Sequence, residues 1–116
     1  MAIPSGSGTE VLKRASYHAN SDAWRTLITG EANHIYTILS ITAVEQGSGG
    51  YNIQIRVDIS AAGSNQIFIF GEQNVATKAT FVWNDKFVLT GTDKLEVYNQ
   101  AGNVDWYVSY IDQDWT

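Results

Sequence analysis

The sequence has no cysteine, a single proline and no long apolar run. Without cysteine the chain can form neither disulfides nor thiolate metal sites. No segment approaches the roughly 18 consecutive apolar residues of a membrane-spanning helix, so we expect a soluble protein with no membrane partner. Residues 1–8 lack a basic end followed by an apolar stretch, and they therefore do not resemble a secretory signal.

Basic residues are few and scattered. Lys and Arg together number 7 against 12 Asp and Glu, which gives a formal net charge of −5. Among them only Lys13 and Arg14 are adjacent. A protein that binds nucleic acid needs a basic face that displaces counterions from phosphates, so we expect no nucleic-acid partner.

Residue patterns typical of enzymes are also missing. His18 and His34 stand outside any metal-ligand motif, and no serine lies in a Gly-x-Ser-x-Gly nucleophile elbow. The glycine-rich residues 46–50 lack the Lys-Ser/Thr of a phosphate-binding loop. Asp112 and Asp114 offer carboxylate oxygens, but without a calcium-loop pattern we interpret them as solvated acids. We expect no enzyme activity, no cofactor and no bound metal.

What the sequence does contain is a succession of β-strand patterns. The clearest lies in residues 51–60, where β-branched apolar residues alternate with polar ones. This period of two predicts a strand with one face in the core and the other in water. The predicted inward residues are Ile53, Ile55, Val57 and Ile59, and the outward residues are Asn52, Gln54, Arg56 and Asp58.

Similar runs recur at a spacing of roughly ten residues, which is typical of a β-sandwich. The run at residues 34–44 predicts a strand with Tyr36 and Ile38 on one face and Leu39 and Ile41 on the other. Further strands are predicted at residues 10–16, 24–29, 66–71 and 80–90, and in two final runs after residue 93.

These strands predict an all-β fold: an antiparallel β-sandwich of jelly-roll type with seven or eight strands. The sandwich would occupy residues 10–116 as a single domain. Residues 1–9 combine Pro4 with alternating Ser and Gly, so they cannot bury enough apolar surface to offset their ordering entropy. We therefore predict a flexible N-terminal arm.

The aromatic residues can be interpreted in two ways. Exposed aromatic rings stack on sugars in carbohydrate-binding sandwiches, and the candidates for that role are Trp24, Trp83, Trp106 and Trp115. Trp83 and Trp106 occupy strand positions and are predicted to fill the core. Trp115 is the penultimate residue, and chain ends rarely bury a large ring unless something holds them.

Uncovered apolar surface predicts self-association. Residues 66–71 are apolar on both strand faces, with Phe68 and Phe70 predicted to share one of them. A two-layer sandwich covers only one face of such a strand, so the other needs a cover. We predict that Phe68, Phe70 and Trp115 lie in an interface of a homotrimer. The alternative is a monomer in which residues 73–79 fold over the second face.

Four segments resemble small virion structural proteins of tailed bacteriophages. They are Ala2-Ile-Pro-Ser-Gly-Ser-Gly-Thr-Glu-Val-Leu-Lys-Arg, His34-Ile-Tyr-Thr-Ile-Leu-Ser-Ile, Phe87-Val-Leu-Thr-Gly-Thr-Asp-Lys-Leu and Val108-Ser-Tyr-Ile-Asp-Gln-Asp-Trp. The resemblance implies a non-enzymatic virion protein of head-decoration, neck or tail-fibre type, made in the host cytoplasm, with major capsid or tail proteins as partners. The alternative is a carbohydrate-binding β-sandwich module, and a virion protein that binds host glycans would combine the two.

Overall fold

A computed structural model of the chain describes residues 9–47, 49–100 and 103–115. Within these residues the chain forms nine β-strands and one 3-10 turn, Ile59–Ala61. No helix in the described ranges is long and apolar enough to cross a membrane. The strands are β1 (Thr9–Ala19), β2 (Ala23–Thr29), β3 (His34–Glu45), β4 (Tyr51–Asp58), β5 (Gln66–Val75), β6 (Thr80–Trp83), β7 (Phe87–Thr90), β8 (Lys94–Asn99) and β9 (Val104–Asp114).

The strands form two antiparallel sheets, and the predicted β-sandwich is confirmed. Sheet A has the order β1-β9-β3-β6, with β7 also paired with β3, and sheet B has the order β2-β8-β4-β5. β6 pairs with residues 41–44 of β3 and β7 with residues 35–38. The two therefore form one edge strand that is interrupted at residues 84–86. Counted in this way, each sheet has four strands, and the interruption explains why there are nine strands and not the predicted seven or eight. The jelly-roll topology stays a prediction.

One apolar core fills the space between the sheets. β4 contributes Ile53, Ile55 and Val57, each at most 5% exposed, as the alternating pattern predicted. Ile59 was predicted to continue the strand, but it lies in the 3-10 turn and is only partly buried. The extended backbone ends there because the following Ser60 adopts a left-handed conformation with φ of 57°.

A β-bulge in β3 reverses its alternation. Tyr36 and Ile38 point into the core and are 3% and 0% exposed. The pairing with β9 shifts between Ile38 and Ser40, and Ile41 is again fully buried. The prediction that Ile41 faces away from Tyr36 and Ile38 was therefore wrong, because a bulge inserts one residue and moves all later side chains to the opposite face.

Several strand ends differ from the predicted bounds. β1 continues to Ala19, so its neighbour His18 lies in a strand and not in the predicted loop. β5 continues to Val75, beyond the predicted end at Gly71. Of the predicted arm, residues 1–8 lie outside the described residues, and Thr9 is the first residue of β1.

Candidate assembly surfaces

Phe68 and Phe70 point to opposite faces of sheet B. The pairing of β5 with β4 is irregular here and places Phe70 opposite the core residue Ile55, and Phe68 opposite Arg56. Phe70 therefore faces inward, where its ring centroid lies 4.9 Å from that of Phe81. Phe68 lies on the outer face and is 46% exposed. The prediction that both rings share a face was wrong, because the irregularity adds a residue between them.

Trp115 lies just beyond β9 and is half-buried. Its backbone N–H donates to the carbonyl of Asn33 at 3.0 Å, so the connection between β2 and β3 holds this end of the chain. The indole Nε1 is buried and has no hydrogen-bond partner within the described residues. A buried donor without a hydrogen-bond partner costs free energy. The role of Trp115 in an interface stays a prediction.

The other tryptophans occupy three different environments. Trp106 is 1% exposed and fills the core, as predicted, with its Nε1 donating to Asn99 Oδ1 at 3.4 Å. Trp83 is half-buried and packs at the margin of the core, 5.7 Å from the ring of Phe70. Trp24 lies on the outer face of sheet B.

The outer face of sheet A exposes large apolar side chains that were not among the residues predicted to lie in an interface. Leu12 is 72% exposed, Val82 55%, Val88 53% and Tyr107 39%. The strand register aligns them across the sheet in two rows, because directly opposed residues share a face. The rows are Leu12-Ile111-Thr37-Val88 and Ser16-Tyr107-Thr42-Val82. We call the surface formed by Leu12, Leu39, Val82, Val88, Tyr107 and Ile111 the A face.

A shallow groove crosses the A face beside β1. It has a volume of about 570 Å³ and is lined by Leu12, Leu39 and Tyr107 together with Arg14 and other residues of β1, β3 and β9. Arg14 is exposed and makes no hydrogen bond or ion pair with any residue that the structure describes. The groove therefore combines apolar side chains of the A face with the polar side chains of Lys13, Ser40 and Ser109, and Arg14 places a cation at its β1 margin.

A cluster of ionisable side chains links β1, β3 and β9. Its members are Lys13, Glu31, His34 and Asp112. Asp112 is 5% exposed. Its Oδ2 accepts a hydrogen bond from Lys13 Nζ at 2.8 Å, and its Oδ1 lies 2.7 Å from His34 Nδ1. His34 Nε2 also lies 3.3 Å from Glu31 Oε2. The cluster thus joins strands that are far apart in the sequence.

The electrostatics of the cluster favour a charged Asp112. Burial by itself would raise the pKa of Asp112, but the hydrogen bonds from Lys13 and His34 outweigh burial and hold that pKa below its ordinary value. The same hydrogen bond to Asp112 raises the pKa of Lys13. Among the described residues no group of three or more His, Asp or Glu is arranged to hold a metal ion. We interpret the cluster as a structural tie that fixes β1.

The outer face of sheet B has its large side chains packed against one another. The guanidinium carbon of Arg56 lies 3.6 Å from the ring centroid of Trp24, and Arg56 Nε donates to Glu96 Oε1 at 2.8 Å. Trp24 also contacts Tyr98 and Phe68, with ring centroids 5.3 and 5.9 Å apart. We call Trp24, Arg56, Phe68 and Tyr98 the B cluster. Because Arg56 lies over the ring of Trp24, that ring is not a free platform.

Comparison with known proteins identifies the fold. No protein-family model and no curated protein matches the chain. A chain of the disulfide-linked pili of Bacillus endospore appendages is similar, with a TM-score of 0.58 and 13% identity over 100% of this chain and 97% of that one. A chain from the capsid of Helicobacter pylori bacteriophage KHP30 has a TM-score of 0.58 and 7% identity over 91% and 92%.

A third similar structure belongs to a larger protein. A chain from the T13 particle of infectious bursal disease virus has a TM-score of 0.63 and 12% identity over 97% of this chain. The match covers 33% of that viral chain, so the present chain corresponds to about a third of its length. At these identities the likeness shows the β-sandwich fold alone.

Proposed function

We propose that this chain is a non-enzymatic structural protein of a bacteriophage virion, where it assembles with copies of itself on the particle surface. The A face carries this proposal, since it exposes apolar side chains across the four strands of sheet A. Exposed apolar surface on one face of a soluble protein marks interaction sites, and a repeated contact between copies would cover these side chains.

The fold likeness supports the proposal. Similar sandwiches occur in a bacteriophage capsid, a viral particle and a pilus, all of which are assemblies of many chains. The similar pili are disulfide-linked, whereas the present chain has no cysteine. Its copies would therefore have to associate non-covalently, through contacts between sheet faces or strand edges.

The finer parts of the proposal follow from the resemblance described above. The protein would act in head decoration, in the neck or in a tail fibre, and its other partners would be major capsid or tail proteins. The predicted homotrimer stays a prediction. Of the three residues first placed in its interface, Phe68 and Trp115 remain candidates for direct contact, whereas Phe70 points into the core.

The mass of the purified protein in solution tests the proposal. We expect light scattering at micromolar concentration to give a multiple of the monomer mass, and Val88→Arg on the A face to shift it towards the monomer. Thr26→Arg places the same charge at an exposed position on the outer face of sheet B, opposite Glu96, and should leave the mass unchanged. A monomeric wild-type protein would overturn the proposed self-assembly.

Glycan binding is a second candidate function. It is favoured by Phe68, which is 46% exposed beside Trp24 and Tyr98, because sugar rings stack on exposed aromatic rings. Arg56 already lies over Trp24, so a host glycan would have to stack on Phe68 or Tyr98. A glycan array probed with the wild-type protein and with Phe68→Ala tests this. Equal signals from both proteins would reject the site.

A further inference from the structure

The four edge strands of the sandwich differ in regularity. The pairing of β2 with β8 shifts between Thr26 and Ile28, and that of β5 with β4 shifts at two places. The edge formed by β6 and β7 is interrupted at residues 84–86. β1 is the one edge within the described residues that pairs with neither a shift nor an interruption, over all 11 of its residues. A long unbroken edge presents free backbone N–H and C=O groups to which another strand can pair.

We propose that two copies of this chain pair through their β1 strands, antiparallel and around a two-fold axis at Leu12. Sheet A would then continue from one copy into the next, and the two A faces would join along the axis. This proposal rests on the self-assembly proposed above and names one of its contacts. Because the contact is two-fold, a homotrimer would need a different surface.

The charges of β1 select the register. Residues directly opposite each other in antiparallel strands share a face, so an axis at Leu12 puts Glu10 of each copy opposite Arg14 of the other. An axis at Lys13 or at Arg14 would instead place identical cations against each other. An axis at Val11 would place Glu10 opposite Leu12 and form no ion pair.

The side chains around Leu12 are free to make this contact. Leu12 is 72% exposed, and on the axis it would meet the same residue of the second copy. Glu10 uses its Oε1 to accept from Gln113 at 2.8 Å, which leaves Oε2 for an arginine. The cation of Lys13, which could otherwise protect the edge, is turned towards Asp112 at 2.8 Å.

A charge-reversal cycle tests the pairing. Glu10→Arg and Arg14→Glu each convert both ion pairs of the axis into like-charge contacts, which are strongly unfavourable across an interface. We expect each variant to weaken self-association at least about tenfold by sedimentation equilibrium. The double variant Glu10→Arg/Arg14→Glu restores opposite charges and should recover the wild-type association.

Single cysteines test the register directly, because the natural chain has none. A disulfide needs Cα atoms roughly 4–7 Å apart, which antiparallel partners on the axis satisfy. Leu12→Cys should therefore form a disulfide-linked dimer on mild oxidation. Ser16→Cys is the matched control on the same face, since its two copies would lie about 27 Å apart. Glu10→Cys and Arg14→Cys should link only when the two variants are mixed.

The outcomes separate this proposal from the function on which it rests. Recovery by the double variant, together with linkage at Leu12→Cys and not at Ser16→Cys, supports pairing at β1. An oligomer that forms normally but shows neither effect overturns the β1 contact and leaves the self-assembling function standing. A wild-type protein that stays monomeric overturns both.

Discussion

The outer faces of the two sheets differ in how many of their side chains find hydrogen-bond, ion-pair or packing partners within one copy of the chain. On sheet B, Arg56 stacks on Trp24 and pairs with Glu96, and Asn52 donates to Glu72 at 2.6 Å. On sheet A, large apolar side chains are exposed and Arg14 has no partner in the described part of the chain. Apart from Phe68, which is 46% exposed, the large side chains on the outer face of sheet B have partners within one copy, whereas those of the A face would gain partners only through the proposed self-assembly.

The edges show the same difference. β5, on sheet B, carries bulges that disturb its pairing, and bulges are one means by which proteins protect edge strands from further pairing. β1, on sheet A, carries none. The exposed apolar side chains of sheet A and its regular edge strand β1 therefore both favour contacts of sheet A with another molecule. Four predictions can break or sharpen this comparison.

The largest effect is expected between the two faces of β4. Ile55→Ala removes a fully buried side chain and should lower the free energy of unfolding by about 2–5 kcal/mol. Gln54→Ala, on the outer face of sheet B, should change it by no more than about 0.5 kcal/mol. Urea denaturation measures both, and equal effects would mean that the faces of sheet B are assigned wrongly.

The next prediction compares the loss of stability on replacing two arginines, one on each sheet. Arg56→Ala removes the stacking on Trp24 and the ion pair with Glu96, so we expect a loss of about 1–2 kcal/mol in the free energy of unfolding. Arg14→Ala has no such contacts to lose and should stay within about 0.5 kcal/mol. Urea denaturation measures both changes in the free energy of unfolding, at protein concentrations too low for the chain to self-associate. A larger loss for Arg14→Ala would contradict the contrast between the sheets.

A third prediction concerns the acid stability of the ionisable cluster around Asp112, which links β1 to β3 and β9. The folded pKa of Asp112 lies below its ordinary value of 3.8, so its stabilising contribution is complete above that pH. It is lost as the pH falls through the lower folded pKa. Thermal unfolding of wild type should therefore weaken more steeply below about pH 4 than that of Asp112→Asn. Asp85→Asn removes an exposed acid outside the cluster and should keep the wild-type profile, whereas parallel profiles for wild type and Asp112→Asn would refute the tie.

The smallest effect is expected on the A face itself. Val88 is 53% exposed, so Val88→Thr should change the free energy of unfolding of the isolated chain by no more than about 0.5 kcal/mol. The matched change Val97→Thr buries a hydroxyl at a fully enclosed position of sheet B and should cost about 1–3 kcal/mol. A comparable loss for Val88→Thr would show that the A face is packed within one copy.

The sequence predicted the fold well where the alternation of side chains was regular. The pattern of β4 correctly placed Ile53, Ile55 and Val57 in the core. It failed where a bulge interrupts the alternation, as at Leu39 in β3 and before Phe70 in β5. A bulge depends on the register of the partner strand, which the sequence of one strand does not contain.

The candidate surfaces were harder to predict for the same reason. Lys13 and Asp112 are 99 residues apart in the chain, and only the pairing of β1 with β9 brings them together. The apolar rows of the A face likewise gather residues from strands at opposite ends of the sequence. One signal was available: the alternation in the last strand placed Tyr107 opposite Trp106 and Val108, and hence on the outer face.

Hydrogen exchange of the wild-type protein at low and high concentration tests the central claim that sheet A is completed by a second copy. Each edge strand leaves half of its backbone N–H groups without a partner in the sheet. We expect the exchange of β1 to slow as the protein concentration rises, while that of the β2 and β5 edges stays constant. Exchange in β1 that is independent of concentration, up to the highest concentration at which the protein stays in solution, would contradict the account.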